Sequence, residues 1–163
     1  MASTDFNKQY RKDVQFLKMA RLVSERSKCS SRQVGAVLVM DGAVVSEGYN
    51  GASRGISLCQ DRTKPCRRRE MGFSSGEGLE FCPAVHAEMN CIVQAARNNI
   101  QTKDTTMYCW CGRPCKWCIS LIINAGVSRL VYLEIEQEYD ELSEELLAES
   151  GIGRCRVNPD EVI

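Results

Sequence analysis

The chain has 163 residues, 44% hydrophobic and 26% charged, and its 21 Lys plus Arg balance 21 Asp plus Glu for a net charge of zero. That length suits one domain able to bury a core, and the composition has neither the low hydrophobicity nor the high net charge of a disordered chain. Balanced charge argues against a nucleic-acid partner, no apolar run approaches the ~20 residues that span a bilayer, and the polar residues 1–11 lack the apolar stretch of an export signal, so a cytoplasmic protein is expected.

Residues 7–27 predict an amphipathic helix: Phe16, Met19, Ala20 and Val23 fall at i, i+3, i+4 and i+7, with Lys8, Arg11, Lys12 and Lys18 around the other side. Residues 34–40 and 43–49 read as strands joined by Asp41-Gly42, a hairpin. From 50 to 83 the periodicity fails, with at most a helical turn near 67–71. A segment of that length (an insert at about 52–83) inside a compact domain is functional or pinned by something. Helix returns over 84–99, with Met89, Ile92, Val93 and Ala96 as its apolar stripe. A strand over 105–110, a helix over 115–124 stopped at Gly126 and a strand over 129–133 follow. An acidic helix over 139–149 stopped at Gly151 and a strand over 154–157 complete the chain. The order α-β-β-α-β-α-β-α-β predicts a single domain over 1–163 with a mixed sheet between helix layers.

Ten cysteines are about 6% of the chain, below the ~8–10% of a secreted disulfide scaffold. In a reducing compartment such thiols read as metal ligands, nucleophiles or core residues. There is one histidine, His86, so a metal site that uses imidazole must use it. Two pieces stand out at predicted helix N-termini, His86-Ala87-Glu88 and Pro114-Cys115-Lys116-Trp117-Cys118. Cys115 and Cys118 project from one face of a first turn, where the helix dipole favours the thiolate that metals require. If the two helices lie side by side, one imidazole and two thiolates converge on a single Zn²⁺ and leave its fourth position to water. Glu88 then stands close enough to take a proton from that water. Alone, His86 would read as an ordinary histidine and Cys115/Cys118 as a redox pair. A thioredoxin-like motif follows the first strand of its fold, however, and this one comes late.

His-x-Glu followed by Pro-Cys-x-x-Cys is the signature of the zinc deaminases. Further landmarks are Ser27-Lys28-Cys29, Val34-Gly35-Ala36-Val37, Gly48-Tyr49-Asn50-Gly51 with Arg54-Gly55, Met89-Asn90, Ala95-Ala96-Arg97, and Gly126-Val127 with Leu130-Val131-Tyr132. Over about 24–133 the chain resembles the deoxycytidylate (dCMP) deaminase family, competence-operon and phage type. The resemblance implies a cytidine deaminase-like three-layer α/β/α sandwich with a mixed, mainly five-stranded sheet. It implies hydrolysis of dCMP to dUMP and ammonia, supplying dUMP for thymidylate synthesis. In that reading His86, Cys115 and Cys118 hold a catalytic zinc, Glu88 shuttles protons, Asn50 meets the sugar hydroxyl and the backbone of Ala87 reads the pyrimidine edge. It further implies a second, structural zinc on Cys29, Cys59, Cys66 and Cys82, a homohexamer, and dCTP and dTTP as regulators. The stretch Cys109-Trp110-Cys111-Gly112-Arg113 departs from the family pattern and places Trp110 and Arg113 beside the substrate pocket, Arg113 facing a phosphate or solvent.

Alternatives stay open at this point: dCTP, cytidine, tRNA adenosine or guanine as substrate, or a noncatalytic zinc-binding module. Zero net charge counts against a polynucleotide, and Glu88 against a module. The four insert-region cysteines also read as scattered buried thiols, Cys91 and Cys155 as core, and Cys109 and Cys111 as sharing one sheet face. Arg67-Arg68-Arg69 reads either as a solvated loop face or as a phosphate site for substrate or regulatory nucleotide.

Overall fold

Two left-handed residues, Asp41 (φ 50°) and Gly42 (φ 78°), turn the chain between β1 (Gly35–Met40) and β2 (Ala43–Tyr49), so the Asp-Gly pair forms the tight hairpin its sequence predicts. The computed structural model describes residues 2–61, 66–74, 76–135 and 141–163. On its other edge β1 pairs antiparallel with β5 (Thr106–Trp110), Val37 opposite Tyr108. Parallel pairing then adds β6 (Arg129–Leu133) and β7 (Gly153–Val157), for a mixed five-stranded sheet ordered β2-β1-β5-β6-β7.

Helices cover both faces. Helix α1 (Ala2–Ser24) lays Leu17, Ala20 and Val23 on Val37, Val39, Tyr108 and Val131. On the opposite face α3 (Ala87–Arg97), α4 (Lys116–Asn124) and α5 (Glu141–Ser150) bury Cys91, Ala95, Ile119, Ile122 and Leu147 against Ala36, Leu38, Met107 and Leu130. Period-2 alternation along β1 thus feeds two separate cores, and its run of five buried residues follows from having both faces covered. This is the three-layer α/β/α sandwich expected. The expected start of α5 at 139 lies outside the described residues.

Helix phase departs from expectation twice. In α1 Met19 is 47% exposed while Leu17 is buried; in α3 Val93 is 49% exposed, and Ala87, Glu88, Cys91 and Ala95 form the inner stripe. Small side chains line that stripe because α3 runs against β2 at Gly48, where an added Cβ would overlap the backbone N of Cys91 and O of Ala87. Cys91 is core as expected, whereas Cys155 is half-buried beside the α1-side cluster. The insert holds a two-residue strand β3 (Gly51–Ala52), a 3-10 turn at Cys59–Asp61, the short α2 (Arg67–Glu70), a 3-10 turn at Leu79–Phe81 and β4 (Ala84–Val85). Strands β3 and β4 pair with each other, Gly51 opposite Val85, and close the two ends of the insert together. Among the described residues no helix is long and apolar enough to cross a membrane.

Candidate active site

The β3–β4 clamp delivers the chain to His86, which occupies the N-cap of α3 with extended backbone (φ −69°, ψ 155°). Asn90 fixes that end of the helix by donating its side-chain amide to the Tyr49 carbonyl (2.8 Å), and Ser46 donates its hydroxyl to the Cys91 carbonyl (2.8 Å). On the neighbouring helix Cys115 is the N-cap (φ −67°, ψ 164°) and Cys118 lies in the first turn, so both thiols stand at the positive end of α4. The two helix starts converge. His86 Nδ1 is 3.5 Å from Cys115 Sγ and 3.3 Å from Cys118 Sγ, and the three ligand atoms lie within 4.8 Å of one another.

Electrostatics prime this cluster. The Cys118 thiol donates to Cys115 and pulls the Cys115 sulfur down to about 4 against the opposing effect of burial, with His86 adding to the drop. Cys118 moves up in consequence, because it supplies the hydrogen bond and is buried. His86 is raised, first by its bond to Cys115. Glu88, one turn into the same site and 4% exposed, is raised by desolvation, and the Cys111 thiol reaches its Oε1 at 3.9 Å. One imidazole nitrogen and two sulfurs, one of them already favouring the thiolate, form a donor set that suits zinc and leaves a tetrahedral position unclaimed by protein.

Around the cluster lies a cavity lined by Asn50, Ala87, Glu88 and Cys111, and by two arginines, Arg32 and Arg68. Asn50 accepts from the Val34 backbone N–H (2.8 Å) and donates to the Arg32 carbonyl (2.9 Å), which fixes the segment carrying Arg32 at the cavity wall. Arg113 is a correction: it donates to Ser143 Oγ (2.8 Å) and pairs with Glu144 (3.0 Å), and it lines a different cavity with Tyr132, Arg154 and Arg156. Trp110 is another. Strand alternation turns Cys109 and Cys111 toward α3 and Trp110 toward α1, where Arg21 lies over its ring at 5.7 Å. Among the described residues the groups of three within 4.8 Å are His86/Cys115/Cys118 and Glu88/Cys109/Cys111. Cys29 and Cys82 share the cavity wall, and Cys59 and Cys66 flank residues 60–65 in the sequence of the insert.

The family profile described as the cytidine and deoxycytidylate deaminase zinc-binding region matches residues 10–134, which include His86, Glu88, Cys115 and Cys118. The chain belongs to this family. Among its relatives are a deoxycytidylate deaminase of Schizosaccharomyces pombe, 33% identical over 150 residues (91% of this chain, 45% of that protein), and one of Saccharomyces cerevisiae, 36% identical over 141 (86% and 43%). A third, from Mycobacterium phage D29, is 37% identical over 125 residues (74% and 92%). The chain therefore spans less than half the length of the two yeast relatives and nearly all that of the phage one. The fold matches a dCMP deaminase of cyanophage S-TIM5, solved with dCMP and dUMP, at a TM-score of 0.69, 24% identity, 88% of this chain and 94% of that one.

Two residues of the cavity wall carry no readable sequence signal as such: Cys111, which sits in a stretch that departs from the family pattern, and Arg32, which stands alone before β1. Arg68 was legible only as the middle of a basic triplet. Its two neighbours are exposed, and it alone turns inward.

Proposed function

We propose that this chain is a zinc-dependent deaminase that hydrolyses dCMP to dUMP and ammonia, acting as one unit over 1–163. The observation that carries the reading is the meeting of His86 Nδ1 with Cys115 Sγ and Cys118 Sγ beside a desolvated Glu88 in one cavity. Zinc bound there would supply Lewis-acid chemistry that makes water a nucleophile at neutral pH. His86, Cys115 and Cys118 would hold it, and two thiolates with a neutral imidazole would balance its charge. Glu88 takes one proton from the attacking water and delivers it to ring N3, then takes the second from the new C4 hydroxyl and delivers it to the departing amine. A C4–O bond forms and the C4–N bond breaks, with ammonia leaving. Desolvation gives the Glu88 carboxylate the raised proton affinity this relay requires. Ala87, fully buried at the cavity wall, offers its backbone to the pyrimidine edge, and Asn50 keeps spare donor and acceptor capacity for the sugar.

Finer readings attach to the same reaction. A second zinc on Cys29, Cys59, Cys66 and Cys82 would pin an insert that lacks a core of its own; Cys29 and Cys82 sharing one wall supports it, and Cys82→Ser then removes one zinc equivalent. A homohexamer with dCTP and dTTP as regulators follows from the family resemblance, and a cytoplasmic location from the composition. Exposed Ile56, Leu58 and Val93 around one surface cavity provide apolar area for such contacts.

Ammonia release from dCMP, dCTP, cytidine and guanine by the zinc-loaded protein tests the reaction and its substrate. Turnover of dCMP in preference to the others is expected, with Glu88→Gln retaining zinc and losing about 10²–10⁴-fold in rate. A Glu88→Gln variant as fast as the parent, or no turnover of dCMP, would overturn the reading.

A further inference from the structure

Strand β7 breaks the pattern of a sheet that is apolar on both covered faces. Its Cys155 and Val157 pack into the α1-side core, so period 2 turns Arg154 and Arg156 toward the face that α5 covers. The parallel register sets Tyr132 of β6 opposite Arg156. Arg113, three residues past the end of β5, joins them. With Glu144 of α5 these groups line a cavity of about 380 Å³ that shares no described residue with the one around His86. It lies toward the carboxyl ends of three parallel strands, β5, β6 and β7, the side on which open α/β sheets take their ligands.

Tyr132 is 4% exposed, and its hydroxyl, the part of it that still meets the cavity, has no hydrogen-bond partner among the described residues. A buried phenol ordinarily finds one. Burial also pushes this phenol up, so at neutral pH it is a donor that lacks an acceptor. Charge points the same way. Glu144 accepts from Arg113 through one carboxylate oxygen (3.0 Å) and from Arg154 through the other, which splints two guanidinium groups at the cavity rim. Arg156 pairs with no acid among the described residues, so three cations of the cavity wall face one carboxylate. We propose that Arg113, Tyr132, Arg154 and Arg156 form a binding site for a phosphate group, as the free ion or as a small monoester, separate from the deaminase cavity. A phosphate monoester carries about −1.5 to −2 charges near neutral pH, which matches the excess of guanidinium over carboxylate. Its oxygens accept from the planar fork of arginine and from a phenol O–H, the two kinds of donor this wall presents. The site rests on these side chains and not on the deaminase reading.

Equilibrium dialysis of the zinc-loaded protein against inorganic phosphate and against ribose 5-phosphate tests this directly. Saturable binding is expected, weakened about 10–100-fold in Arg156→Gln by loss of a charge-assisted bond and about 2–10-fold in Tyr132→Phe by loss of a neutral one. Arg156 is exposed and phenylalanine keeps the Tyr132 ring, so both variants retain the fold. Arg11→Gln changes an exposed arginine of α1, on the opposite face of the sheet, and should bind as the parent does. Tighter binding of ribose 5-phosphate would identify a monoester as the ligand, and tighter binding of phosphate the free ion; either supports the site when Arg156→Gln weakens it. Anion held at the zinc instead would be indifferent to both variants. No saturable binding by the parent, parent-like binding in either Arg156→Gln or Tyr132→Phe, or equal weakening in Arg11→Gln would overturn the proposal. A parent that binds phosphate in this way yet releases no ammonia from dCMP would overturn the reaction and leave the site standing.

Discussion

Asp13 is 1% exposed and accepts four hydrogen bonds: from Arg129 Nη1 (2.8 Å) and Nη2 (2.6 Å), from the Tyr108 hydroxyl (3.0 Å) and from Gln9 (3.0 Å). A bidentate guanidinium compensates its burial, and the network ties α1 to β5 and β6. Burial and the adjacent carboxylate push the Tyr108 phenol up, so it stays a donor at all ordinary pH. Truncating one side of such a pair strands the other charge. Asp13→Ala should therefore lower unfolding stability by about 3–5 kcal/mol, and Tyr108→Phe by about 1 kcal/mol, both read from urea unfolding. Equal, small effects would show that the network contributes little. Arg68 is the contrasting case: it is buried, no carboxylate among the described residues pairs with it, and it borders a cavity. The sequence distinguishes neither. An arginine in a run of three looks solvated until the backbone shows which one points inward.

At the scale of elements, the site depends on how closely α3 approaches β2. Gly48 permits that approach, and a methyl group there would press the helix away at Ala87 and Cys91, on either side of Glu88. Gly48→Ala should cost about 1–3 kcal/mol of stability through overpacking and weaken zinc binding, because His86 and Glu88 ride on the displaced helix. Gly51→Ala, where a Cβ would meet nothing within 4 Å, is the control and should leave both properties near the parent values. Wild-type metal affinity in Gly48→Ala, measured by competition with a chelator, would contradict this account of the spacing. The same packing explains why helix existence was legible and helix phase was not. Hydrophobicity selects Ile92 and Val93 as the inner stripe, whereas close contact selects Ala87, Cys91 and Ala95. Strands β3 and β4 are two residues each, too short to show any period, and only their pairing reveals them.

For the molecule as a whole, the sheet brings together two βα junctions separated by some thirty residues, with His86 closing one and Cys115 and Cys118 opening the other. Both junctions announce themselves locally, because ligand types and spacing are written into short stretches, and so the metal cluster could be read from residue order. What lies between them could not. Arg113 sits two residues before a ligand, yet its partner is Glu144 on α5, a contact that exists once β5, β6 and α5 are packed. The central claim is that His86, Cys115 and Cys118 together hold one zinc, and the most direct check is the number of zinc ions bound per folded chain in Cys115→Ser. One equivalent fewer than the parent is predicted, with Cys155→Ser on β7 keeping the full complement; the same zinc content in Cys115→Ser as in the parent would contradict the claim.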